Sequence, residues 1–174
     1  MEWTKRGFVT GYYPLKSKLE WSSPSLLASQ IKSNVKGVNC FHFSVIFSSY
    51  ASSLGFKSRL WSLEGDDYLK QFGHTVVEVF APSIRKWVMF DPSNSIYFYY
   101  NNVPLSVLEL RNCIVYGKCM PSVFFGGLNT KKEDYYLNLY KKLLVTVFLR
   151  SSSDFSYKLS NPKLQWGPLA PLSP

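Results

Sequence analysis

The chain reads as an α+β fold, a central helix bearing Cys40 packed on an antiparallel sheet bearing His74 and Asp91. Three observations predict it. A largely apolar run from Cys40 to Leu54 follows Asn39, a good helix cap, and stops at Gly55. Residues 74–80 and 85–91 are rich in Val, Phe and Trp, and Ala81-Pro82-Ser83-Ile84 between them is a four-residue turn signal. Ser106 with Glu109, and Thr130 with Glu133, have the spacing of a capping box and mark two further helix starts.

Taken in order, residues 1–20 read as an irregular or extended arm. Ser23-Pro24 opens a helix, as cap and first-turn proline, with Leu27, Ile31 and Val35 on one face and Gly37 at its end. The helix over 39–54 is apolar nearly all round, which marks a buried element. Strands follow at about 56–63, 74–80, 86–91 and 96–100. The last, Ile96-Tyr-Phe-Tyr-Tyr100, is aromatic on both faces and is expected to be covered. A short helix begins at Ser106. A longer one starts after Thr130 and runs to about Leu149, with Tyr136, Leu139, Leu143 and Val147 on one stripe. Residues 151–174 are rich in Ser and Pro and read as extended or disordered chain.

The chemistry lies at the edges of these elements. Cys40 falls in the first turn of its helix, where free N–H groups and the positive end of the dipole favour a thiolate. Pairing the two strands symmetrically about 81–84 sets Phe80 opposite Arg85, Glu78 opposite Trp87, Val76 opposite Met89, and His74 opposite Asp91. Directly opposed residues share a sheet face, with Cβ atoms roughly 4.5–5.5 Å apart. A thiol, a base and a carboxylate that orients the base are the parts of a Cys-His-Asp triad. Each residue alone also has an ordinary role: a core cysteine, a structural histidine, and an Asp-Pro turn.

The segments Gly37-Val-Asn-Cys-Phe-His-Phe-Ser44, Leu54-Gly-Phe-Lys-Ser-Arg59, Gly73-His-Thr-Val-Val-Glu-Val79 and Lys86-Trp-Val-Met-Phe-Asp-Pro92 resemble the transglutaminase-like superfamily. Pro104-Leu-Ser-Val-Leu-Glu-Leu-Arg111 is similar to a segment that follows the Asp strand in a group of bacterial members. The likeness covers about residues 20–111, and Thr75-Val76 depart from it where the family often has Ala-Trp. It implies a transglutaminase-like, papain-like core over 21–150, with Cys40 as nucleophile, His74 as base and Asp91 as orienter. It implies acyl transfer on an amide of a peptide or protein, by hydrolysis or by transfer to an amine, with no metal or organic cofactor. A silent fold of the same kind, serving as a binding or scaffold module, is the alternative. The Cys40 N–H is the expected oxyanion donor, and Gln30 on the preceding helix is a candidate for a second. On these terms Asp91→Asn disables turnover and spares the fold, provided Asp91 is partly exposed in a cleft.

Composition narrows the remaining classes. The 174 residues are 46% hydrophobic, enough for a sizeable core in one domain. There is no apolar run long enough for a membrane span and no visible signal peptide, so the cytoplasm is the default compartment, with export left open. The net charge of +9 is scattered and comes with no nucleic-acid motif, so specific nucleic-acid binding is not expected. The three cysteines form no disulfide framework. Cys113 and Cys119 are expected as free buried thiols, with a disulfide between them as the other reading. His42 lies about 200° around the helix from Cys40 and is expected to be a packed or rim histidine. The polar loop between Glu64 and Gly73 is either a rim or lid to the site or an ordinary solvated loop.

Overall fold

A computed structural model of the chain describes residue 29 and residues 39–64, 73–126, 131–144 and 146–150. The expected arm, the Ser23-Pro24 helix apart from Ser29, Gln30, the loop over 65–72 and the tail over 151–174 lie outside the described residues.

Helix α1 spans Cys40–Ser53, and its start is built as the sequence dictates. The Asn39 side chain accepts the N–H groups of Phe41 and His42 at 3.1 and 3.4 Å. The His42 ring reaches back to the Asn39 N–H at 3.2 Å, which completes a capping box. The first half of α1 is enclosed, with His42, Phe43, Ser44, Val45 and Ile46 all buried. Gly55, at φ +83°, takes the left-handed conformation that ends the helix.

Four strands form the main sheet, all pairs antiparallel, in the order β3 (Lys86–Phe90), β2 (Gly73–Ala81), β1 (Ser58–Glu64), β7 (Thr146–Arg150). A second, three-stranded antiparallel sheet has the order β5 (Val103–Pro104), β4 (Ile96–Tyr100), β6 (Ser122–Phe125). With helices α2 (Val107–Ile114) and α3 (Glu133–Leu143), the described chain is mixed α+β. Alternation divides the main sheet into two faces. Leu60, Val77 and Val88 belong to the face against α1, where Ser44 Oγ donates to the Thr75 carbonyl at 2.8 Å and Phe47 meets Phe90. Trp61, Val76 and Met89 belong to the other face and join Phe98, Leu110, Tyr136, Tyr140 and Leu143 in the principal core.

The β2–β3 register corrects the sequence expectation. The turn is Pro82–Ile84 followed by Arg85 in the left-handed region, so Ala81 stays in the strand and pairs with Lys86. Moving the turn by one residue moves every pair by two: Phe80 faces Trp87, Glu78 faces Met89, and Val77 faces Phe90. His74 is therefore not directly opposite Asp91. One step beyond the last of those pairs, Asp91 stands level with Val76, two residues from His74. A slip of two keeps each side chain on its face, and the diagonal neighbours at ~7–8 Å are still within reach of long side chains.

Two further expectations change. The helix expected up to Leu149 ends at Leu143, and residues 146–150 pair with β1 as a strand, Leu63 opposite Val147. Thr-Val-Phe is better strand than helix chemistry, and the open edge of β1 supplies the hydrogen bonds. The buried stripe of α3 is Tyr136, Tyr140 and Leu143, with Leu139 only half-buried, and the cap is Lys132 with no side-chain bond. Cys113 and Cys119 are joined in a disulfide, not free. The chain turns back after α2 through Gly117 at φ +65°, which brings their Cα atoms to 4.3 Å. The Ser106 helix stands as read, with Ser106 Oγ accepting from the Glu109 N–H at 3.3 Å and Glu109 from the Ser106 N–H at 2.8 Å. In Ile96–Tyr100, Ile96 and Phe98 lie in the core and Tyr97 and Tyr99 are half-buried, but Tyr100 at the strand end is exposed.

Candidate active site

Cys40 arrives at the site from one side of the main sheet and His74 from the other, because α1 begins beside the first residues of β2. The Thr75 N–H donates to Cys40 Sγ at 3.4 Å. Ser44, one helical turn after Cys40, holds the same residue on its other side by donating to the Thr75 carbonyl. Cys40 and His74 lie close enough for each to act on the other's ionisation. His74 Nε2 meets Asp91 Oδ2 at 2.7 Å, so the nitrogen facing the thiol is Nδ1. The structure thus brings Cys40, His74 and Asp91 together, with His74 bonded to Asp91 and the Thr75 N–H next to it bonded to Cys40, although the route through the hairpin register differs from the one expected.

Asp91 does two jobs with its two oxygens. Oδ1 closes the turn Pro92–Ser95, accepting from Ser93 Oγ at 2.7 Å and the Asn94 N–H at 3.1 Å. Oδ2 faces the site, where it accepts from Asn94 Nδ2 at 2.6 Å and from the Tyr140 hydroxyl at 2.7 Å besides its bond to His74. The Asp-Pro turn signal and the carboxylate bonded to His74 are therefore the same residue. Main-chain bonds between Asp91 and Ile96 at 2.9 and 3.2 Å anchor it where the two sheets meet. Asp91 is 0% exposed, which removes the partly exposed setting on which a structurally harmless Asp91→Asn was expected.

The electrostatics follow from burial and pairing. Burial works against the Asp91 carboxylate, but the His74 charge and the bonds from His74, Asn94 and Ser93 hold its pKa well below the usual range. Burial also works against imidazolium; Asp91 and then Cys40 overcome it and push His74 up to about 10. For Cys40, burial opposes ionisation, while the His74 bond and charge and the Thr75 N–H lower the thiol below its ordinary value. The pairing thus favours a thiolate beside an imidazolium, backed by a carboxylate. His42 is packed away from it, with a pKa lowered by burial to about 4.

Sequence reading missed the other donors to Asp91. Ser93 and Asn94 were signalled by the Asp-Pro-Ser-Asn turn. Tyr140 was signalled only weakly: a tyrosine on an apolar stripe needs a partner for its hydroxyl. Glu78 is a second buried carboxylate, two positions beyond Val76 on the core face. It accepts from Arg59 Nε and Trp61 Nε1, both at 2.6 Å, and from the Val107 N–H at 2.7 Å. It ties α2 to the sheet and does not enter the cysteine chain. Among the described residues no group of three or more His, Cys, Asp and Glu is placed to hold a metal ion, and no helix is long and apolar enough to cross a membrane. No protein-family model, no curated protein and no solved structure matches this chain.

Proposed function

We propose that the chain is a cysteine-dependent acyl-transfer enzyme of transglutaminase-like type, acting on an amide of a peptide or protein through Cys40, His74 and Asp91. One observation carries the reading: a free cysteine at a helix start, its sulfur held by the Thr75 N–H, lies beside a histidine whose Nε2 is 2.7 Å from a buried carboxylate. The resemblance of the Cys, His and Asp segments to that superfamily supports it.

The geometry lends itself to the following chemistry. Cys40 Sγ, as thiolate, attacks the amide carbonyl carbon and forms the C–S bond. Asn39 Oδ1 takes the N–H groups of Phe41 and His42, not that of Cys40, which leaves the Cys40 N–H at the helix front to meet the developing oxyanion. The imidazolium of His74 gives its proton to the leaving nitrogen as the C–N bond breaks, and a thioester remains. Water or an amine then attacks the thioester. His74 takes that nucleophile's proton, the C–S bond breaks, and the ion pair returns. Asp91 keeps Nε2 protonated throughout, so that Nδ1 does the proton work. None of these steps calls for a metal or organic cofactor.

Alkylation by iodoacetamide at neutral pH tests the reading, alongside turnover of glutamine-containing peptides with and without an added primary amine. Cys40 is expected to react rapidly, His74→Ala to slow it, and ammonia to be released from the peptide. A slow Cys40 that is indifferent to His74→Ala would leave only a silent fold.

A further inference from the structure

We infer that Tyr140 is a positioning residue of this site: its hydroxyl, donated to Asp91 Oδ2, draws charge from the carboxylate and thereby sets how tightly His74 holds its proton. The inference rests on the acyl-transfer reading for its use, but its observable does not depend on turnover.

Three donors share Asp91 Oδ2: His74 Nε2 at 2.7 Å, Asn94 Nδ2 at 2.6 Å and the Tyr140 hydroxyl at 2.7 Å. An oxygen has a limited supply of lone-pair density, so each added donor weakens the pull on the others. Asn94 is local to the Asp91 turn and is fixed by it. Tyr140 comes from a separate element, 49 residues away in the chain. Its ring is wedged edge-on against His74, with centroids 6.1 Å apart and planes at 90°, and against Phe98 at 4.7 Å. The side chain is fully buried, so its hydroxyl has no solvent to turn to.

The helix behind Tyr140 is pinned at both ends. Glu133 Oε1 accepts from the Val123 N–H at 2.6 Å, and Arg111 Nε donates to the Leu144 carbonyl at 2.7 Å. Tyr140 keeps its own proton, because burial and the neighbouring Asp91 charge raise its pKa well above 10. It is therefore a donor to Asp91 throughout the working range. The titratable groups around His74 are Cys40 on α1, Asp91 at the end of β3 and Tyr140 on α3, with Tyr136 acting on Tyr140 from one turn away.

This arrangement answers a problem in the chemistry. A fully basic Asp91 would hold the imidazolium proton too well for it to reach a leaving amine. Tyr140 and Asn94 temper that carboxylate. Of the two, Tyr140 can be changed without touching the Asp91 turn.

The test is an NMR titration of His74 in the Cys40→Ala protein, where the thiolate no longer adds to the shift and no acyl chemistry occurs. The chain has two histidines, and His42, with its pKa near 4, is distinct from His74 in such a titration. Replacing Tyr140 by Phe is expected to raise the His74 midpoint by about half to one pH unit, a three- to tenfold change in its dissociation constant. Placing 3-fluorotyrosine at 140, a more acidic donor in the same shape, is expected to lower it, and decides the matter if the Phe variant does not fold. A midpoint that moves with neither change, or in the opposite sense, overturns the inference and leaves the acyl-transfer reading standing. Failure of that reading would show instead in the His74→Ala alkylation rate.

Discussion

Removing the Cys40 sulfur should make the stability of the protein fall more steeply with rising pH than that of the wild type. Consider the protons. In the unfolded chain between about pH 6.5 and about pH 9, the imidazole is neutral and the thiol is protonated, so the pair binds one proton. In the folded protein the same pair is imidazolium and thiolate wherever Cys40 is already ionised, and again binds one. The counts match, so the pair contributes no slope there. In Cys40→Ala the unfolded chain binds none and the folded protein still binds one, on His74, because Asp91 outranks Cys40 among the causes that raise it. The group has a raised folded pKa, so its contribution is complete below the unfolded value and is lost as pH climbs towards the folded one. The slope is then about −1.4 kcal/mol per pH unit at most, or ~2 kcal/mol between about pH 7 and about pH 8.5. Urea unfolding at several pH values, wild type beside Cys40→Ala, reads the difference directly, since all other titrating groups are common to both. Parallel curves would mean that His74 is not held as imidazolium or that Cys40 is not ionised beside it, and either would rule out the ion pair.

Other perturbations follow from the same geometry. Cys40 should be the chain's one rapidly alkylated thiol, since Cys113 and Cys119 are paired, and thiol counting with and without a reductant checks this. Asp91→Asn should cost on the order of 3–5 kcal/mol in urea unfolding, because an amide N–H₂ must face donors around a fully buried site; an unchanged midpoint would contradict the five donors seen on Asp91. Glu78→Gln should cost a similar ~3–5 kcal/mol while leaving Cys40 alkylation at its wild-type rate in the folded fraction, which separates an anchor from a site residue. Ser95→Gly should stabilise by about 1 kcal/mol, since Ser95 sits at φ +55° and its buried hydroxyl has no partner among the described residues; a lowered melting temperature would count against this.

What the sequence disclosed was whatever is written locally. Asn39 next to Cys40, and Ser106 three residues before Glu109, encode caps whose bonds span one helical turn, and both formed. The face shared by His74 and Asp91 was legible because a strand alternates with period two, which survives a register error of two. The register itself was not legible. It hinges on whether Ala81 or Arg85 belongs to the turn, and Arg85 adopts a left-handed conformation that its residue type does not announce. Residues 146–150 looked like a continuation of α3 because Leu143 and Val147 are four apart. Their strand state depends on the free edge of β1, more than eighty residues earlier, which no local pattern reveals. The Cys113–Cys119 link depends likewise on how the chain turns after α2. Tyr140 is the clearest case: the stripe read from the sequence ran through Leu139 and left it out, and its partner is a matter of how α3 crosses the end of the sheet.

The central claim is that Cys40 is a nucleophile armed by His74 and Asp91, and trapping its acyl intermediate tests that most directly. The wild-type protein and His74→Ala would each be mixed with an activated aryl ester, quenched in acid and digested, and the peptides weighed by mass spectrometry. An acyl group is expected on the Cys40 peptide of the wild type within the first turnover, and little or none in His74→Ala. No adduct on Cys40, or an equal one in both proteins, would contradict it.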